Sequence, residues 1–140
     1  FLFNANKGFA PQALNKIASG GELSRVLLSI QALLAKKRAL PSLIFDEIDT
    51  GISGETAAKV AEVFRNISED HQLIAITHLP QIAAKAEKHF FIYKNDDEEK
   101  TETKIASLNT EQHIKAIARM LSGEKISEES LSNARSLINI

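Results

Sequence analysis

The sequence predicts an α/β fold: a mainly parallel sheet flanked by helices, with a β-hairpin and two helices appended at the end of the chain. Two short runs, Ser42–Asp46 and Gln72–Thr77, are apolar on both faces, as strands buried in a parallel sheet usually are. A helical pattern from about Gly54 to Glu69 lies between them. Residues 89–94 and 103–108 flank an acidic run, which predicts an antiparallel hairpin.

The first part of the chain reads as a short strand, Phe1 to Asn6, followed by a loop and a long helix that Pro41 stops. Apolar residues of this helix recur at helical spacing, which predicts one buried stripe. The stripe consists of Leu23, Val26, Leu27, Ile30, Leu33 and Leu34.

Capping residues mark the starts of the other helices. Ser53 is the expected N-cap of the helix that begins near Gly54, whose inner face is formed by Ala57, Val60, Ala61, Phe64 and Ile67. Pro80 opens a helix through Ala86, because proline suits a first turn. Thr110 is expected to cap a helix to about Leu121, and Ser127 the last helix.

Length and composition indicate one domain over residues 1–140, with enough apolar material for one core. The chain starts at Phe1 in strand-like sequence, which indicates a piece of a longer protein. No stretch approaches the roughly 18 apolar residues of a membrane span, and the lack of cysteine excludes disulfides and thiolate metal sites. A net charge of −1 argues against a domain that grips DNA by itself.

Two segments combine groups that suit a phosphate ligand and its metal. Ser19-Gly20-Gly21-Glu22 precedes the long helix, where glycines allow close backbone approach and free N–H groups attract an anion; a simple glycine cap is the alternative. The apolar strand that ends in Asp46 and Glu47 aims two carboxylates at the carboxyl edge of a sheet, where ligands bind in open α/β folds. Asp46 would hold Mg²⁺ and Glu47 would orient and deprotonate a water, although two acids entering a loop are common.

Two further segments are weaker when taken alone. The stretch from Asp49 to Gly54 follows the acids and also fits a plain turn with a helix cap. His78 ends the next strand, where a histidine is more often structural, but beside a phosphate it could hydrogen-bond the transferred group.

The order of these four segments resembles the signature, Walker B, D-loop and H-loop of ABC-type ATPases. Ile48 in place of the usual transporter proline, and Glu22 in place of glutamine, resemble the SMC-like branch rather than a transporter subunit. Within that branch, residues 19–25, 45–54 and 77–84 are similar to the RecN family of bacterial DNA repair proteins, and the likeness extends to nearly the whole chain.

The resemblance implies the C-terminal lobe of an ATPase head that uses ATP and Mg²⁺ in a cytoplasmic, nucleoid-associated protein. Ser19, Gly20, Gly21 and Glu22 would cap the nucleotide of a second head, and Asp49 would run along the seam between the two heads. Asp46, Glu47 and His78 would act on the nucleotide of their own head. The implied partners are the N-terminal lobe of the same protein, a second identical head, and DNA through the full-length protein, whose role would be double-strand break repair.

The sequence departs from the family in lacking a phosphate-binding loop, since no glycine here is followed by lysine. The chain by itself is therefore expected to be inactive. A non-catalytic interaction lobe, in which the motifs serve only as structure, remains the alternative.

Overall fold

A computed structural model describes residues 2–3, 12–13, 20–38, 40–46, 49–97 and 100–139. They fall into two compact units, Phe1–Thr77 and His78–Ile140. A single domain over residues 1–140 stays a prediction. In chain order the elements are β1 (Leu2–Phe3), β2 (Gln12–Ala13), α1 (Gly20–Arg38), β3 (Ser42–Asp46), α2 (Gly54–Ser68), β4 (Gln72–Ile76), α3 (Pro80–Ala83), β5 (Phe90–Asp97), β6 (Lys100–Ser107), α4 (Thr110–Ser122) and α5 (Glu128–Ile138).

The centre of the first unit is the parallel pair β3–β4, which confirms the predicted adjacent, parallel strands. The pairing runs without a bulge from Ser42 opposite Gln72 to Asp46 opposite Ile76. The ring of Phe45 in β3 stacks on that of Phe64 in α2, with centroids 4.9 Å apart. Helix α2 thus packs on the strand that carries the acidic end.

Helix α2 follows the sequence prediction closely. Its five buried residues are the five expected on its inner face: Ala57, Val60, Ala61, Phe64 and Ile67. Ser53 occupies the N-cap position with extended backbone, but its side chain makes no capping hydrogen bond. Burial of the apolar face therefore does more to fix α2 than its cap does.

Helix α1 forms as predicted, beginning at Gly20 and ending before Pro41, but the expected burial of its apolar stripe is wrong. Leu33 is 69% exposed, and Leu23, Leu27, Ile30 and Leu34 are exposed as well. Leu28 and Ala35 are the buried apolar residues of this helix. Helical spacing identifies the apolar face of a helix but says nothing of what covers it.

The expectation that β3 and β4 are buried on both faces is also wrong for this chain. Phe45 is 2% exposed, whereas Ile44, which points to the opposite face of the same strand, is 67% exposed. The predicted strand Phe1–Asn6 is seen as Leu2–Phe3, paired antiparallel with β2, which was expected to be loop. Residues 4–6 lie outside the described part of the chain.

The second unit contains a helical cluster and the hairpin β5–β6. The cluster has a core of small and branched residues, which lets the helices approach closely: Ala83, Ala84, Ile117, Ala118 and Ala134. The hairpin is confirmed and is longer than predicted, running from Phe90 opposite Ser107 to Asp97 opposite Lys100. Helix α3 ends at Ala83 rather than at Ala86. Among the described helices, none has the length and apolar character needed to cross a bilayer.

The predicted N-cap of α4 is wrong, and the predicted N-cap of α5 is correct. Asn109, not Thr110, caps α4: its side-chain oxygen accepts from the Gln112 N–H, and the Gln112 side chain accepts from the Asn109 N–H, each at 2.9 Å. Asparagine one residue earlier outcompetes threonine because its amide reaches the third helical N–H. Ser127 caps α5 as predicted, in a reciprocal pair with Ser130.

Two histidine rings meet edge to face in the second unit, His89 just before β5 and His113 in α4, with centroids 4.9 Å apart. The His113 ring nitrogen Nε2 lies 3.2 Å from the Ala83 carbonyl oxygen, and the His89 carbonyl accepts from the Leu108 N–H at the base of the hairpin. Burial lowers the pKa of both imidazoles, and the neighbouring His113 charge lowers the pKa of His89 further. The pair therefore favours the neutral form.

Phe64→Ala should lower the free energy of unfolding of the chain by about 3–5 kcal/mol, because it removes a buried ring and leaves a cavity against Phe45. The neighbouring Val63 is exposed, so Val63→Ala should change it by less than about 0.5 kcal/mol. Urea denaturation followed by circular dichroism measures both. Equal losses for the two variants would contradict the packing of α2 described above.

The histidine pair should make the chain less stable as pH falls from about 7.5 to 5.5. Both pKa values are lower in the folded state than in the unfolded state. As the pH falls through the ordinary histidine pKa near 6.5, the unfolded chain therefore binds more protons than the folded chain, which favours unfolding. Thermal unfolding of the parent and of the double variant His89→Phe/His113→Gln across this range measures the effect. The variant should have a flatter pH dependence of Tm, and an unchanged slope would contradict the expectation.

Candidate functional site

The carboxyl edge of the β3–β4 pair carries the first predicted site residue. Asp46 is the last residue of β3, is exposed, and lies opposite Ile76 at the end of β4. Parallel strands that end in register present their following residues at one edge, which is where ligands bind in open α/β sheets. The structure therefore places the proposed metal-binding carboxylate where a ligand can reach it.

Asp49 lies beyond this edge, and its side chain is buried in the first unit. It is 1% exposed, and its Oδ2 atom accepts a hydrogen bond from the Thr77 hydroxyl at 2.5 Å. Its carboxylate thus contacts the residue that follows β4. The expected position of this loop along a seam between two heads stays a prediction.

The turn after Asp49 depends on glycine conformation. The Ile52 N–H donates to the Asp49 carbonyl at 3.2 Å, which closes a four-residue turn. Gly51 has a φ of 73° at the third position of that turn, where a positive φ favours glycine. Gly54, at the start of α2, also has a positive φ, of 53°. Two glycines therefore shape the path from the acidic edge into α2.

The glycine pair of the first motif lies at the N-terminus of α1. The helix begins at Gly20 and continues through Gly21 and Glu22, so its first N–H groups have no partner within the helix itself. Such an end with its positive partial charge suits a phosphate. Ser19 lies outside the described residues, as does Glu47.

His78 is exposed and opens the second unit, immediately after Thr77. Its predicted place at the same edge as Glu47 therefore stays a prediction. Across the described ranges, no group of three or more histidine or acidic side chains could hold a metal ion. Asp46 fits a Mg²⁺ site as a single carboxylate, the arrangement in which water and nucleotide phosphates supply the other ligands.

The Thr77 hydroxyl is the site feature that sequence reasoning missed. Threonine at a strand end is unremarkable by itself, and its partner lies 28 residues away in the sequence. The one available signal was the acid in the turn after β3, since a buried carboxylate requires a donor.

Comparison with known proteins finds relatives along the whole chain, although no protein-family model matches it. The DNA repair protein RecN of Haemophilus influenzae is 45% identical over 140 residues, and that of Vibrio cholerae is 46% identical over 138. The protein of the same name from Treponema pallidum is also 46% identical. The chain spans about a quarter of the length of these relatives, in their C-terminal part.

Solved structures with a similar fold include heads of SMC proteins. One, from a study of ATP-driven dimerization and DNA-stimulated activation of SMC ATPases, has a TM-score of 0.66 over 84% of this chain and 70% of its own length. The Smc head domain of Pyrococcus yayanosii, with a coiled coil and joint, has a TM-score of 0.65 over 76% of this chain and 20% of its own. Both are 24% identical, and they confirm the predicted fold class.

Proposed function

We propose that this chain belongs to the RecN family and is the C-terminal lobe of an ATP-hydrolysing head in a longer DNA repair protein. The observation that carries the proposal is the in-register parallel pairing of β3 with β4, with Asp46 at the carboxyl edge of the pair, since ligands bind at that edge in open α/β sheets. The name of the relatives supports a role in DNA repair, and the SMC ATPases among the structural neighbours support ATP hydrolysis.

Asp46 and Glu47 divide the chemistry in this proposal. Asp46 binds Mg²⁺, which when present neutralises charge on the nucleotide phosphates. Glu47, the next residue, orients the attacking water and accepts its proton. Asp46 is the poorer base, because a metal-bound carboxylate has its lone pairs engaged. His78 hydrogen-bonds the transferred phosphoryl group.

The N-terminus of α1 serves a second head. Ser19, Gly20, Gly21 and Glu22 cap the phosphates of a nucleotide that the other copy binds, using the free N–H groups of the helix start. Head closure then depends on ATP, and hydrolysis reopens the pair. A homodimer of heads is therefore part of the proposal.

The exposed apolar surfaces support the N-terminal lobe of the same protein as a partner. Leu33 of α1 and Ile44 of β3 are each about two-thirds exposed, and Ile74 and Ile76 of β4 are exposed beside Ile44. Soluble proteins seldom expose clusters of this kind except at interaction sites. About three-quarters of the length of the relatives lies outside this chain, and in this proposal the N-terminal lobe within it covers these apolar surfaces.

DNA is proposed to bind elsewhere in the longer protein. The net charge of −1 gives this lobe no excess of cations for phosphate neutralisation. We place the protein in the bacterial cytoplasm, with the nucleoid, because its proposed substrate is broken DNA.

The isolated chain should bind Mg-ATP weakly or not at all and should not hydrolyse it. It has no Gly-Lys step of a phosphate-binding loop, and a single carboxylate offers little affinity for the metal. Isothermal titration calorimetry and a phosphate-release assay on the 140-residue chain test this. Micromolar binding, or turnover above buffer, would reveal a nucleotide site of its own and contradict the proposed division between lobes.

In the longer protein, Glu47→Gln should preserve ATP binding and head closure but lower turnover by roughly 10²–10⁴-fold, the usual cost of a lost general base. Asp46→Asn should instead weaken Mg-ATP binding itself, because it removes the metal ligand. Nucleotide affinity and steady-state turnover of both variants separate the two roles. Glu47→Gln at the parent rate would favour the alternative, a lobe whose motifs serve only as structure.

A further inference from the structure

One side-chain contact joins the segment after β3 to the residue after β4. The Thr77 hydroxyl donates to Asp49 Oδ2 at 2.5 Å, and the accepting carboxylate is almost wholly buried. The backbone of Asp49 is held as well, since its carbonyl accepts from the Ile52 N–H. Asp49 is thus fixed through both its side chain and its main chain.

This contact extends the link between the two strands past the end of their ladder. The last paired residues are Asp46 and Ile76. Thr77 follows Ile76 directly, and only Glu47 and Ile48 connect Asp46 to Asp49 along the chain. The proposed general base therefore belongs to a two-residue connection whose two flanking residues are both tied to β4 or to its end.

We propose that Asp49 and Thr77 form a positioning pair that fixes the connection carrying Glu47. The inference rests on the proposed ATPase function and adds two residues that act through Glu47. With 1% of its surface exposed, Asp49 is too deeply buried to take part in the chemistry directly.

The desolvation cost of a buried carboxylate favours retention of the hydrogen bond between Thr77 and Asp49. A buried carboxylate that loses one of its hydrogen-bond donors incurs a desolvation penalty, so the loop is expected to shift to restore contact with water or another donor. A displacement of about 1 Å at a reacting group can cost about 10² in rate. Loss of the pair should therefore appear mainly in turnover.

The test uses steady-state ATP hydrolysis by the longer protein that contains this chain. Thr77→Val keeps the shape and removes the donor; it should lower kcat by roughly 10–10²-fold and leave KM for ATP within about twofold. Thr77→Ser keeps the hydroxyl and should retain most of the parent kcat. Thr103→Val makes the same chemical change at an exposed position of β6 and should leave kcat unchanged.

A double variant separates positioning from plain stability. Replacing both partners by apolar groups removes the buried carboxylate together with the Thr77 donor, so Asp49→Leu/Thr77→Val should fold even if Thr77→Val does not. It should still lose turnover, because the polar tie is gone. Recovery of the parent kcat in the folded double variant would overturn the inference, as would a parent kcat in folded Thr77→Val or an equal loss in Thr77→Ser.

Glu47→Gln, measured in the same assay, distinguishes a failure of the positioning pair from a failure of the proposed ATPase function. If Glu47→Gln loses turnover while Thr77→Val and the double variant do not, the positioning pair is wrong and the ATPase proposal stands. A longer protein without ATP turnover, or one in which Glu47→Gln turns over at the parent rate, overturns both.

Discussion

The register of the β3–β4 ladder is the constraint on which the first unit depends. Side chains alternate between the two faces of a strand, so a slip of one residue would exchange Phe45 with Ile44 and redirect Asp46. Contacts at the start of the strands hold the register: the Ser42 hydroxyl donates to the Gln72 side chain, and the Gln72 N–H donates to the Pro41 carbonyl. The Thr77–Asp49 bond holds the opposite end.

Elements whose partners lie close by in the sequence could be predicted from it. Helical spacing predicts each of the five residues on the inner face of α2. The face is buried as predicted because the preceding strand, β3, contributes the Phe45 ring that stacks on Phe64. The parallel pairing of β3 with β4 followed from two apolar runs separated by one helix. In the site, the position of Asp46 at the end of β3 followed from the same pattern.

Features that depend on distant or missing partners could not be predicted. The apolar stripe of α1 was recognised, but periodicity does not reveal whether a covering surface lies within the chain. The Thr77–Asp49 bond joins residues that no local pattern connects, and the Asn109 cap depended on which of two neighbouring residues reached the helix N–H first. The roles of Ser19, Glu47 and His78 stay predictions, because they require the surroundings of a nucleotide.

The turn between the acidic edge and α2 has a consequence for which residues the chain can accept there. Among the described residues, and apart from the chain neighbours and the backbone of α2, no atom lies within 4 Å of where a β-carbon on Gly54 would be, so volume does not restrict this position. Its positive φ does, because a residue of L configuration pays roughly 1–2 kcal/mol in that region of backbone space. A D-alanine introduced by chemical synthesis would avoid that penalty, whereas L-alanine would not. At the entry to α2, glycine is favoured because it tolerates a positive φ and not because it is small.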